Sequence, residues 1–269
     1  MQKNIVVTGS TRGIGYGLAL EFTRLGAKVV INGRKQADVD LAIENIAKSL
    51  PEKTKPIGFA GDITKYEDVE NLWQRSRAEL GRVDIWINNA GVINHREPTW
   101  KLQAENIAQT VSINMIGMMY CSKVALKGML QQGSGHLYNF EGFGSDGRQW
   151  QPGMTPYGST KAAVRYFTKG LVKETKGTPV KVGTISPGIV VTDLLRQPYE
   201  GRPDEWKKAK KIFNILGDKV ETVTPWIAEK VLQDTQSGTK IAWLGVPRVM
   251  GKFLSASFTK RNLFEEIRA

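Results

Sequence analysis

This 269-residue sequence predicts an α/β fold, a single domain built on a doubly wound parallel sheet of about seven strands. Short apolar runs alternate with stretches of helical periodicity along the whole chain. A turn lined with glycine, Thr8-Gly9-Ser10-Thr11-Arg12-Gly13-Ile14-Gly15, follows the first of those runs directly. No linker, internal repeat or break in composition divides residues 1–269, and no apolar run is long enough to span a bilayer.

Strands are expected near residues 4–8, 27–32, 56–60, 83–88, 135–140, 180–185 and 240–244, with helices filling the gaps. Strands joined through helices pair in parallel by right-handed crossovers, and both faces of the sheet are then covered. Ligands of such sheets bind at the carboxyl ends of the strands, so residues that carry chemistry are expected just after strands.

After the first strand, Gly9 permits a tight turn, Gly13 lets the backbone approach a phosphate, and Gly15 brings the next helix close to the sheet. Ser10, Thr11, Arg12 and Ile14 complete this loop, whose amides at the helix start suit a dinucleotide pyrophosphate. The second strand exits as Ile31-Asn32-Gly33-Arg34-Lys35, with no carboxylate to hold a ribose 2′-hydroxyl. Arg34, with Arg12, could instead grip a 2′-phosphate, which points to NADP(H). Beyond the third and fourth strands, Asp62-Ile63 and Asn89-Ala90-Gly91 are placed to line the adenine and ribose.

Tyr157-Gly158-Ser159-Thr160-Lys161 opens a helix running to about Glu174, which puts Tyr157 and Lys161 on one face. A free phenol has a pKa of about 10. An adjacent ammonium and the positive helix end are expected to favour the phenolate and ready Tyr157 to pass its proton to a carbonyl oxygen.

With these runs and Ser186-Pro187-Gly188-Ile189-Val190-Val191-Thr192 in order, the chain resembles the short-chain dehydrogenase/reductase family over nearly its whole length. The resemblance implies a Rossmann-type sheet, a proton relay through Asn114 and Lys161, and a nicotinamide end held by Pro187, Gly188 and Thr192. It also implies a homodimer or homotetramer. One place departs from the family. Where its serine is expected, Asn139-Phe140-Glu141-Gly142-Phe143-Gly144-Ser145-Asp146 offers glycine, Gly142 when counted from the strand and Gly144 when counted back from Tyr157. Ser145 is the nearest hydroxyl, with Glu141 and Asp146 as alternatives only if protonated.

That segment, with Asp84-Ile85-Trp86-Ile87-Asn88-Asn89-Ala90-Gly91, the Ser186–Leu195 run and Lys211-Ile212-Phe213-Asn214-Ile215-Leu216, resembles the chlorophyll(ide) b reductase subgroup. The implied activity is reduction of a C7 formyl group to hydroxymethyl with NADPH. Reduction of another apolar aldehyde or ketone is the alternative, and a non-catalytic NADP-binding regulator is the reading from a different class. Residues from about 194 to 220 are expected as a substrate lid, with Leu194, Leu195, Tyr199, Trp206, Ile212, Phe213, Ile215 and Leu216 forming a broad apolar surface.

One cysteine, Cys121, excludes an internal disulfide, and His95 and His136 lack metal-ligand spacing, so no metal site is expected. Cys121 reads as a core thiol rather than a nucleophile, and His95, which follows a cofactor-binding run, as either a substrate-facing residue or an exposed loop histidine. The net charge of +12 favours anionic partners. No nucleic-acid module accompanies it. The lysines Lys207, Lys208, Lys210 and Lys211 and a basic tail from about 246 to 269, with Arg248, Lys252, Lys260 and Arg261, suggest peripheral contact with an anionic membrane. The chain enters its first strand almost at once, so a cytoplasmic protein is expected, or, for a trimmed plant protein, the chloroplast stroma or thylakoid surface.

Overall fold

A computed structural model describes residues 2–256, 258–259 and 261–264. The seven expected strands form one parallel sheet. They are β1 (Asn4–Val7), β2 (Lys28–Gly33), β3 (Ile57–Ala60), β4 (Ile85–Asn88), β5 (Gly135–Phe140), β6 (Val180–Ser186) and, last in the chain, β9 (Lys240–Ala242). Their order is β3-β2-β1-β4-β5-β6-β9, so the order in which successive strands are added reverses between β1 and β4 while all of them stay parallel. That reversal opens a crevice at the strands' carboxyl ends.

Alternation along each strand divides the core. Ile5 and Val7 point to one face, where they pack with α1 (Gly13–Arg24), α2 (Gln36–Ser49) and α9 (Val220–Gln233). Val6 points to the other, against α3 (Tyr66–Leu80), α5 (Met118–Gln132) and α6 (Thr155–Glu174). Cys121 is fully buried on this second face, as expected of a core thiol, and burial raises its pKa. His95 is exposed, whereas His136 is buried and stacked on Tyr138, its pKa lowered to about 4 chiefly by burial.

Periodicity did not reveal three features. The helix α4 (Ala104–Val111) runs into α5 through a π-helical stretch, Ser112–Gly117, a widened turn of the kind often found at functional sites. The strands β7 (Val190–Val191) and β8 (Asp218–Lys219) pair in parallel and clasp the two ends of the segment that holds α7 (Asp193–Arg196) and α8 (Pro203–Leu216). Third, α10 (Val246–Ala256) buries none of its residues.

Within the segment expected as a lid, Tyr199, Trp206 and Phe213 pack on one another and, for Trp206 and Phe213, on Phe264, whereas Leu194 and Ile212 are exposed. The expectation of a freely available basic tail needs correction at Arg248, Lys252 and Arg261. Lys252 and Arg261 both pair with Asp218, at 2.7 and 2.8 Å, while the Arg248 guanidinium lies 3.5 Å over the Trp243 ring. Lys260 and residues 265–269 lie outside the described residues.

Candidate active site

The glycine turn is stitched to the sheet before any ligand enters. Thr8 Oγ1 accepts the amides of Asn89 and Ala90 at 3.1 and 3.2 Å, and Asn89 Nδ2 donates to the carbonyls of Thr8 and Gly9 at 2.9 Å each. Ser10, expected to face a ligand, is instead fully buried: its Oγ donates to Val7 O at 2.6 Å and accepts the Asn32 amide at 3.0 Å. Ile14 packs against the core, and Thr11 lies over Gly33.

The glycines are needed for different reasons. A Cβ on Gly15 would lie 2.5 Å from Gly9 O, and one on Gly9 2.7 Å from Ala90 Cα. Gly13 has a positive φ of 58° and faces the Thr192 methyl, which brings the loop after β6 over the turn. At Gly188, φ is 73° and a Cβ would meet Leu244, while Pro187 beside it is buried.

The start of α1 has no side-chain cap and no acid in its first turn, so its unpaired amides fit the phosphates of a dinucleotide. Arg12 and Arg34 are both exposed, and neither has an ion pair among the described residues. Asp62 turns into its own loop, accepting the Thr64 amide and hydroxyl at 2.9 and 2.8 Å, and Ile63 is buried.

Across the crevice, Asn114 sits in the π-helical stretch and is buried. Its side-chain amide makes a reciprocal pair with the backbone of Val92, both bonds 2.8 Å, and Nδ2 also reaches Thr160 Oγ1 at 3.2 Å. From α6, Lys161 Nζ donates to Phe140 O at 3.2 Å and lies 5.8 Å from the Tyr157 ring centroid. A Cβ on Gly91 would come within 3.3 Å of Asn114 Oδ1 and 3.8 Å of Lys161 Nζ. Gly91, Asn114, Tyr157 and Lys161 thus meet at one place.

Gly142 joins them, since a Cβ there would lie 2.5 Å from Tyr157 Oη. Gly144 does not: with φ of 88°, its Cβ would press on the Gly158 backbone at 2.9 Å. The count from the strand thus falls beside the phenol, and the count back from Tyr157 does not. Ser145 is buried three residues on, its Oγ accepting the Gly142 amide at 2.9 Å. Glu141 is paired with Lys240 at 2.6 Å and Arg165 at 3.9 Å, and Asp146 is exposed and accepts the Arg148 amide. Neither carboxylate is set up as a proton donor.

Burial controls the protonation of the pair. It pushes the Tyr157 phenol up to about 12 and the Lys161 ammonium down to about 8, the latter opposed by Glu141. The expected lowering of the phenol by its ammonium neighbour is absent here, because desolvation outweighs a cation that does not bond the hydroxyl. A phenol at about 12 is nevertheless in the acid form that protonates an alkoxide.

Sequence reasoning missed Asn94 and Asn32. Buried Asn94 accepts the Tyr157 amide at 3.0 Å and so holds the start of α6, although nothing in its loop signalled this. Asn32 ties β2 to β3 through Phe59 O and Gly61 O, each at 3.2 Å; a polar residue closing an apolar run was the available signal. Among the described residues, no group of three or more His, Cys, Asp or Glu could hold a metal.

As a class, this arrangement defines an oxidoreductase dependent on a nicotinamide dinucleotide. The sequence pattern described as short chain dehydrogenase matches residues 3–202, and the chain belongs to that family. It is 34% identical to a probable chloroplastic chlorophyll(ide) b reductase of Arabidopsis thaliana, over 98% of this chain and 55% of the relative. A second Arabidopsis protein, a chloroplastic chlorophyll(ide) b reductase, is 36% identical over 88% of this chain and 67% of its own length. An uncharacterized oxidoreductase of Staphylococcus aureus strain MRSA252 is 37% identical over 71% and 80%. The chain spans about half the length of the first of these relatives. Among solved structures, levodione reductase superposes with a TM-score of 0.82 at 20% identity, covering 92% of this chain and 99% of that one. A serine dehydrogenase complexed with NADP+ gives 0.76 at 26%, covering 90% and 95%.

Proposed function

We propose that the chain is an NADPH-dependent reductase whose substrate is chlorophyll(ide) b, its 7-formyl group being reduced to hydroxymethyl. The observation that carries this reading is the meeting of Tyr157, Lys161, Asn114 and a side-chain-free Gly142 at the mouth of the crevice, in a chain 34 to 36% identical to reductases named for that pigment. Arg12 and Arg34 hold the 2′-phosphate, and the amides from Gly9 to Gly15 hold the pyrophosphate. Asn89, Ala90 and Gly91, with Asp62 and Ile63, line the adenosine side, and Pro187, Gly188 and Thr192 close over the other end. Bound NADPH would supply the hydride.

Tyr157 gives its hydroxyl proton to the carbonyl oxygen. Lys161, held by Phe140 O, keeps positive charge beside the phenol, and Asn114 fixes the backbone next to Lys161. Ser145 offers the second donor to the developing alkoxide, its own proton being unspent while its oxygen accepts from Gly142.

A smaller apolar aldehyde or ketone is the second reading. The packing of Tyr199, Trp206, Phe213 and Phe264 on one another favours it, since ring faces engaged with each other leave less flat surface for a macrocycle.

Two partner surfaces belong to the proposal. A groove between α5 and α6 lined by Met115, Met119, Tyr166 and Phe167, with Tyr166 83% exposed, suits a second copy of the chain. No helix among the described residues is long and apolar enough to cross a membrane. On α10, however, Val246, Met250, Phe253 and Leu254 line one exposed face, and the neighbouring α8 carries exposed Lys207, Lys208 and Lys211. These suit an anionic membrane surface better than the tail's paired cations.

The test supplies purified protein and NADPH with chlorophyllide b and, separately, with simple apolar aldehydes. The 7-hydroxymethyl pigment is the expected product. Consumption of NADPH with aldehydes alone would select the second reading, and binding without turnover of either would select a regulator.

A further inference from the structure

We propose that Glu141 is a positioning residue for the reduction, a buried counter-charge that keeps Lys161 cationic and whose strength is moderated by Lys240 and Arg165. The inference rests on Lys161 serving turnover as proposed above.

Three observations converge on Glu141. The Glu141 side chain is only 3% exposed, and its backbone is pinned by a 2.8 Å bond from its amide to Ile185 O. It follows Phe140 directly, the residue whose carbonyl accepts Lys161 Nζ at 3.2 Å. Its oxygens reach Lys240 Nζ at 2.6 Å, from β9, and Arg165 Nε at 3.9 Å, from α6.

The placement answers an electrostatic problem. Lys161 and Arg165 are four residues apart on one helix, a spacing at which like charges repel. Lys161 is also buried, which drives a lysine towards its neutral form. A buried carboxylate beside the strand end offsets both effects. As a stabilising device it would be a poor choice, because desolvation cancels much of the gain from a buried ion pair. Among the described residues, the charged and titratable groups that face Lys161 and Glu141 are Tyr157 beside Lys161, Arg165 one helical turn further along α6 and paired with Glu141, and Lys240 on β9, which also pairs with Glu141; Asn114 and Gly91, which flank Lys161, are neutral.

The arrangement makes opposite predictions for two substitutions. Glu141→Gln removes the counter-charge, so proton affinity at Lys161 should fall by about tenfold. Lys240→Met removes a cation that competes for Glu141, so the affinity should rise, by roughly two- to threefold because Lys240 is 42% exposed and partly screened. The high-pH limb of the kcat/KM profile should move the same way in each variant.

Titration of the Lys161 side chain by 15N NMR on lysine-labelled full-length protein, assigned with Lys161→Arg, reads the coupling without turnover. Midpoints moving in opposite directions in the two variants support the proposal, and unchanged midpoints overturn it. Should Glu141→Gln fail to fold, Lys240→Met decides alone, with an unmoved midpoint overturning the proposal. If the midpoints shift while the pH–rate limb stays fixed, the coupling stands and the role of Lys161 in turnover fails.

Discussion

The hydroxyl of Tyr157 lies 2.5 Å from the point where a Cβ on Gly142 would stand. The phenol therefore abuts bare backbone at one of the two places where the family resemblance leads one to expect a serine, and the same Cβ would also come within 3.2 Å of Lys161 Cε. Restoring that serine is expected to harm the enzyme, since a side chain at residue 142 must displace the phenol. Gly142→Ser should lower kcat by at least about tenfold, with an altered Tyr157 environment as the cause. Higher turnover than the unmodified chain, in steady-state assays, would refute this.

Tyr157→Phe should abolish nearly all turnover, by about 10²–10⁴, the usual contribution of a positioned acid. NADPH affinity, measured by fluorescence titration, should hardly change, because only one oxygen is lost.

Arg34→Ala should weaken NADPH binding by roughly ten- to a hundredfold and leave NADH nearly untouched, the proposed role of the guanidinium being to hold the 2′-phosphate alone. Calorimetry with both dinucleotides checks this. Equal affinity of the unmodified chain for the two would remove the case for NADP(H).

Ser145→Ala should cost about 10²–10³ in kcat with little effect on NADPH affinity, the loss typical of one donor to an oxyanion. The Gly142 amide would lose its acceptor as well, so thermal unfolding should be measured alongside. Turnover at the unmodified rate would leave Ser145 as a turn residue only.

Liposomes carrying anionic lipid should bind the protein through α10. Leu254, 69% exposed, is the sharpest site: Leu254→Glu should reduce co-sedimentation by about tenfold or more, given roughly 1.5–3 kcal/mol for burying a leucine. Added salt should weaken binding as well, with a Debye length of about 10 Å at 0.1 M. Equal sedimentation of the variant would move the contact elsewhere.

The sheet, the glycine turn and the Tyr157/Lys161 pair were readable from the sequence because each depends on residues close together in the chain. Short buried runs announce parallel strands, and four-residue spacing announces a shared helix face. What stayed hidden depends on pairing at a distance. No local pattern tells that Lys240 reaches Glu141, or that Lys252 and Arg261 are bound to Asp218. The presence of the tail's cations was legible, while the engagement of Arg248, Lys252 and Arg261 was not. Ser10 illustrates the converse case, a residue in the right loop whose hydroxyl faces the sheet.

The pairing of Val190–Val191 with Asp218–Lys219 makes the intervening stretch an exchangeable cartridge. Its ends are joined whatever lies between them, and lengthening such a closed loop costs only about 0.6 kcal/mol per doubling. Insertion or deletion can therefore recut that segment without disturbing the register of the seven-stranded sheet. On the proposed reading of that segment as a wall of the substrate site, a chain of this kind can change the carbonyl it accepts far faster than it can change how it delivers a proton.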